Sequence, residues 1–222
     1  MTEVFHRSFF LDGPAGRLEA TLWTAPTGDS LSSSVQSALV CHPHPMFGGT
    51  MHNKVVYQAA KALHELGIPV LRFNFRGVGL SEGSHDRGRG EQDDVRAGLN
   101  YLATEFLGHP ILLAGFSFGA WVGLRVGCEN ERVSELVGLG LPVDRTDVSY
   151  LRVCAKPKLI IQGANDEFAS RASVDNLFAE IPEPKKLVIV DGVDHFFAGK
   201  LPEVGAAIKE WLADRHKRGP SA

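Results

Sequence analysis

A serine flanked by glycines, Gly115-Phe116-Ser117-Phe118-Gly119, follows the apolar run Pro110-Ile111-Leu112-Leu113-Ala114 and precedes the small and apolar stretch Ala120-Trp121-Val122-Gly123. A serine at a sharp turn between a buried strand and a helix is held on a strained, exposed corner, where its hydroxyl can serve as a nucleophile. The same Gly-x-Ser-x-Gly pattern recurs at Gly79-Leu80-Ser81-Glu82-Gly83. That second match lies between Arg76-Gly77-Val78 and Ser84-His85-Asp86-Arg87-Gly88-Arg89-Gly90, which reads as polar, glycine-rich loop on both sides and would not aim a hydroxyl rigidly. Context therefore selects Ser117. The competing account of Ser117 is an ordinary strand-to-helix turn whose serine only starts the helix.

A serine hydroxyl is a poor nucleophile at neutral pH unless a base takes its proton and a third group orients that base. In a parallel α/β sheet such groups sit just beyond the carboxyl ends of strands. Lys158-Leu159-Ile160-Ile161-Gln162-Gly163 runs into Ala164-Asn165-Asp166-Glu167, and Lys186-Leu187-Val188-Ile189-Val190-Asp191 runs into Gly192-Val193-Asp194-His195. Asp166 and His195 are the expected partners. Glu167 and Asp144 are rival acids, and in isolation Asp166 reads equally well as a turn residue satisfying loop amides. Asp191 and Asp194 read as structural, being too close in sequence to face His195. Phe196 and Phe197 would wall an apolar site and hold the imidazole.

A tetrahedral intermediate also needs backbone donors at its oxyanion. One is expected from Phe118 N–H and the other from Cys41-His42-Pro43-His44-Pro45-Met46-Phe47-Gly48-Gly49, where proline has no N–H to give. This leaves His44 or Met46, with His44 preferred. A metal held by His42, His44, His52 and His85 is the rival reading of this region, but the spacing forms no recognised ligand frame. No cofactor or metal is expected. Arg72, Arg76 and Arg87 are candidates for an acidic substrate group, though arginines beside a glycine loop more often tie loops together. Trp121 reads as core, and Phe47, Phe116 and Phe118 as apolar lining.

The elements that position these residues follow from hydrophobic patterning. Phe5 to Leu11 and Arg17 to Trp23 flank Asp12-Gly13-Pro14-Ala15-Gly16 and predict an antiparallel hairpin whose turn is slightly longer than the tightest type. After a polar connection over 24–36, apolar runs near 37–41, 68–75, 110–115, 135–141, 158–162 and 186–191 alternate with helical segments near 53–66, 92–106, 118–128, 170–180 and 200–216. The pattern predicts eight strands in a mostly parallel sheet covered on both faces. The segment from Pro142 to Pro157 leaves no room for an inserted cap.

The 222 residues, 44% hydrophobic and 22% charged, are read as one domain spanning 1–222 with a frayed tail at Gly219 to Ala222. A net charge of -3 points away from nucleic acid and polybasic membrane surfaces, and toward small-molecule partners. The start, Met-Thr-Glu-Val-Phe-His-Arg, has no apolar h-region, and Cys41, Cys128 and Cys154 lack metal spacing, so a cytoplasmic chain with reduced cysteines is expected.

These residues together carry a family resemblance. His42-Pro43-His44-Pro45-Met46-Phe47-Gly48-Gly49, Arg72-Phe73-Asn74-Phe75-Arg76-Gly77-Val78-Gly79-Leu80-Ser81, the Gly115 to Gly119 turn, Asp166 and His195 resemble the α/β-hydrolase superfamily. The likeness is greatest to its small, capless predicted hydrolases related to the dienelactone hydrolases. The resemblance implies an α/β-hydrolase fold and a Ser117-His195-Asp166 triad, and makes the Ser81 match a loop common after the fourth strand. Two departures matter. Dienelactone hydrolases use a cysteine where this chain has Ser117, so their substrate does not carry over, and a histidine-proline loop replaces the usual histidine-glycine one. The expected activity is hydrolysis of small carboxylic esters or thioesters. A catalytically idle binding protein, or a peptidase or acyltransferase with the same triad, are the alternatives.

Overall fold

The computed structural model describes residues 5–24 and 36–218. Most of the expected polar connection and the expected frayed tail thus lie outside the described residues. Strands β1 (Phe5–Gly13) and β2 (Gly16–Thr24) pair antiparallel in register from Phe5 opposite Thr24 to Gly13 opposite Gly16. The turn is therefore only Pro14-Ala15, tighter than the sequence suggests. Gly16 makes this possible, because it holds φ at +119°, where a side chain would be strained.

The rest of the chain alternates as expected: β3 (Ser37–Cys41), α1 (Lys54–His64), β4 (Val70–Phe73), α2 (Arg89–Glu105), β5 (Ile111–Phe116), α3 (Phe118–Glu129), β6 (Val133–Leu139), β7 (Lys158–Gly163), α4 (Arg171–Glu180), β8 (Lys185–Val190) and α5 (Leu201–Arg218). The sheet order is β1-β2-β4-β3-β5-β6-β7-β8. β2 runs antiparallel to β4, and every pair from β4 through β8 is parallel. The carboxyl ends of β3 to β8 therefore share one edge of the molecule, where all their following loops meet.

Side chains alternate across the strands, and each face meets its own helices. Leu39, Leu71, Phe73, Leu113 and Leu136 pack with Val95 and Leu99 of α2 and Val122 and Leu124 of α3. Ala38, Val40, Val70, Leu112, Ala114 and Val137 pack with Val55 and Ala59 of α1 and Ile208 and Trp211 of α5. Burial on both faces explains why β3, β4, β5 and β7 are buried throughout, whereas β8, at the sheet edge, starts with Lys185 and Lys186 and is mostly half-buried. Between β6 and β7 the only regular element among the described residues is one 3₁₀ segment, Ser149–Val153, so no cap covers the loop edge. No helix among the described residues is long and apolar enough to cross a membrane.

Candidate active site

Ser117 occupies the single position between β5 and α3, at φ 54° and ψ −118°. Such a backbone costs a non-glycine residue about 1–3 kcal/mol. Neighbouring structure over-determines it: Ser117 N–H donates to Leu139 O at 2.9 Å, and Ser117 O accepts from Trp121 N–H at 3.0 Å. Gly119 is required by contact. A Cβ there would lie 2.4 Å from His42 O and 2.5 Å from Cys41 O, so the start of α3 rests directly on the end of β3.

His195, in the loop after β8, faces Ser117 Oγ through Nε2 at 2.8 Å and Asp166 Oδ2 through Nδ1 at 2.7 Å. Both His195 and Asp166 are buried. Asp166 follows β7, and its loop is joined to that of His195 by Asn165 N–H donating to Val193 O at 2.9 Å. Asp166 Oδ1 accepts from Phe168 N–H at 2.8 Å, and Oδ2 accepts from Gln162 Nε2 at 2.5 Å. Gln162 Oε1 in turn accepts Leu141 N–H at 3.0 Å. The imidazole lies among aromatic rings, with centroids 4.6 Å from Phe168 and 5.0 Å from Phe116. Sequence reasoning missed Gln162, although an amide in the buried run Leu159-Ile160-Ile161 was a visible signal.

Of the rival acids Glu167 is exposed, while Asp144 is engaged elsewhere, as are Asp194 and Ser81. Asp144 Oδ2 accepts from Ser170 N–H at 2.6 Å at the start of α4, and hydrogen bonds from Ser173 and Ser170 hold its carboxyl below the usual range. Asp194 Oδ1 accepts from Phe196 N–H and Ala198 N–H at 3.0 and 3.2 Å, shaping the His195 loop. Ser81 Oγ donates to Asn74 O at 2.7 Å and accepts Glu19 N–H at 2.9 Å, as a structural serine does.

The loop after β3 separates the oxyanion candidates. Met46 N–H already donates to His44 Nδ1 at 3.2 Å, whereas Phe118 is the first residue of α3, where an N–H has no acceptor within the helix. The His44 and Phe118 rings touch, with centroids 4.9 Å apart. Burial, and then the neighbouring His85, push His44 below the usual histidine value, favouring the neutral ring. His42 has both nitrogens occupied: Nδ1–H donates to Pro43 O at 2.7 Å and Nε2 accepts Phe75 N–H at 2.9 Å. Burial lowers it to about 3, and it acts as a neutral tie between β3 and β4.

Residues 37–214 match the family described as alpha/beta hydrolase domain. The chain belongs to the alpha/beta hydrolase domain family. An uncharacterized protein of Rickettsia prowazekii is 37% identical over 212 residues, covering 91% of this chain and 87% of its own. Among solved structures, a Coxiella burnetii α/β serine hydrolase homologue is 39% identical with TM-score 0.85, covering 96% of this chain and 98% of its own. A Xanthomonas campestris α/β serine hydrolase without a lid is 38% identical with TM-score 0.86, at 98% and 96% coverage.

In this alpha/beta hydrolase domain a cavity of about 620 Å³ opens beside Ser117 and His195. Its walls come from several loops: His44 and Phe47 after β3, His85 and Arg87 after β4, Phe118 and Trp121 on α3, Pro142, Arg145 and Thr146 after β6, and Phe168 and Phe196. Three sequence expectations change here. Trp121 is half-buried on the cavity wall rather than in the core, because it lies four residues after Ser117 on the same face of α3. Phe116 is fully buried behind His195 rather than lining, and Phe197 is likewise core while Phe196 lines. Of the three arginines considered, Arg72 donates to Met51 O and stacks on Trp23, and Arg76 pairs with buried Asp94 at 2.6 Å. Only Arg87 of these reaches the cavity.

Proposed function

We propose that this alpha/beta hydrolase is a serine hydrolase of small carboxylic esters or thioesters. The observation that carries the reading is the unbroken line from Ser117 Oγ to His195 Nε2 at 2.8 Å and from His195 Nδ1 to Asp166 Oδ2 at 2.7 Å. A carboxylate only accepts, so Asp166 sets the proton on Nδ1 and leaves the Nε2 lone pair facing the serine hydroxyl. His195 takes that proton as Oγ attacks the carbonyl carbon. Phe118 N–H and His44 N–H hold the oxyanion. Collapse of the tetrahedral species expels the alcohol or thiol, which takes the proton from His195, and water then releases the acid by the same steps.

The absence of a cap among the described residues supports small substrates with short acyl groups, received at an open edge lined by Phe47, Phe118 and Phe168. Nitrophenyl esters of increasing acyl length, offered to wild type and Ser117→Ala, test the proposal. Hydrolysis is expected in wild type alone. Equal rates in both proteins would overturn it. Fluorophosphonate labelling of folded protein at Ser117 distinguishes an activated nucleophile from an idle binding protein.

A further inference from the structure

Two arginines line the cavity, Arg87 and Arg145, and no aspartate or glutamate among the described residues does so. The chain carries 26 acids and a net charge of -3, so a cationic cavity runs against its overall balance. Nearby arginines are neutralised: Arg76 meets Asp94 at 2.6 Å, and Arg125 meets Asp147 at 3.1 Å. Among the described residues Arg87 and Arg145 make no ion pair. Arg145 acts on Asp144 only weakly through space, and that carboxylate is already held by Ser170 and Ser173.

The backbone that carries Arg87 is held in place. It holds φ at 52°, in a turn clamped by Glu91, which accepts Asp86 N–H at 2.8 Å and Gly88 N–H at 2.7 Å. Gly88 lies so close to the Trp121 ring that a Cβ there would come within 2.6 Å of it. On the other loop, Asp147 O accepts Trp121 Nε1–H at 3.0 Å. The two arginine-bearing loops therefore both meet Trp121, one helical turn along α3 from Ser117.

Resting on the reading of Ser117 as nucleophile, we propose that the cavity selects esters or thioesters that carry an anionic group, bound by Arg87 and Arg145 beside Trp121. Guanidinium forks match carboxylate and phosphate oxygens in two-point contacts. Both arginines are exposed, so their attraction for an anion acts through solvent and is screened by salt. The anion can belong to the acyl part or to the leaving group, and both carry the same chemistry.

The experiment compares kcat/KM for ω-carboxyacyl nitrophenyl esters with their methyl-capped neutral counterparts, and for acetyl esters of ω-hydroxycarboxylates with theirs, in wild type and R87E/R145E. At least one carboxylate series is expected to exceed its neutral counterpart tenfold or more, identifying which side of the ester bears the anion. That preference should shrink as ionic strength rises, and the double variant should favour trimethylammonium esters instead. Neutral esters cleaved as well as or better than both anionic series by wild type, or a preference unchanged by salt, would overturn the proposal. So would an anionic preference retained by folded R87E/R145E. Failure of the underlying reading looks different: neutral-ester hydrolysis would then survive Ser117→Ala.

Discussion

Gln162 and His195 share one oxygen, Asp166 Oδ2, at 2.5 and 2.7 Å. The amide is fixed from behind by Leu141 N–H, so the end of β6, the strand β7 and the carboxylate form one rigid unit. Gln162→Leu keeps the volume and removes the donor. Its kcat on a nitrophenyl ester is expected to fall on the order of tenfold with KM little changed, the cost of about one hydrogen bond to a charged group. Steady-state kinetics at several pH values check this, and an unchanged kcat would remove Gln162 from any positioning role.

The backbone at Ser117 predicts a conflict between stability and activity. Ser117→Gly should stabilise the fold by about 1–3 kcal/mol, because glycine adopts φ 54° without a Cβ penalty. Ser117→Ala keeps that strain and gains little. Both variants should lose activity by as much as about 10⁶-fold. Urea unfolding midpoints set beside ester turnover measure the two effects.

Ser81 supplies the control for the repeated motif. Its hydroxyl bridges Asn74 O and Glu19 N–H beneath the β4 loop, so Ser81→Ala is expected to destabilise by about 1–3 kcal/mol. Fluorophosphonate labelling should persist in that variant. Loss of labelling in folded Ser81→Ala would contradict the choice of Ser117.

His42 gives a pH signature. Its folded value, lowered to about 3 by burial, lies below the unfolded value of about 6.5. The neutral ring's contribution is therefore fully present above pH 6.5 and is lost as pH falls toward 3, since the unfolded chain takes a proton that the native ring refuses. Protonation would also set an N–H at Nε2 against Phe75 N–H. By pH 5 this single group costs about 2 kcal/mol. His42→Gln should be less stable than wild type at pH 7.5 and lose less on acidification to pH 5. Urea titrations at both pH values test the difference.

The sequence was most legible at the strand ends. Ser117, Asp166 and His195 each sit within a few residues of a buried strand terminus, and the parallel sheet alone brings those termini together. Side-chain direction was less legible. Phe116 and Phe118 flank Ser117 symmetrically in sequence, yet the strained turn sends one into the core and leaves the other on the cavity wall. Trp121 could have been assigned to the wall from its helical spacing to Ser117. Gln162 has no chemistry of its own in the reaction, so only its polarity in a buried strand marked it. The Pro14-Ala15 turn depended on Gly16 adopting a positive φ, which residue type permits but does not require.

The close seat of Gly119 on the backbone of Cys41 and His42 separates what can vary from what cannot. The serine's corner is locked by main-chain atoms of β3, β5 and β6, whereas, apart from Phe118 and Trp121 on α3, most of the cavity wall belongs to the loops after β3, β4, β6, β7 and β8. The cavity lining can therefore change by exchange of wall residues such as Arg145, Thr146 and Phe196 while the Ser117 corner stays still. For a designer, the Pro142 to Pro157 loop is the natural place to graft a new lid.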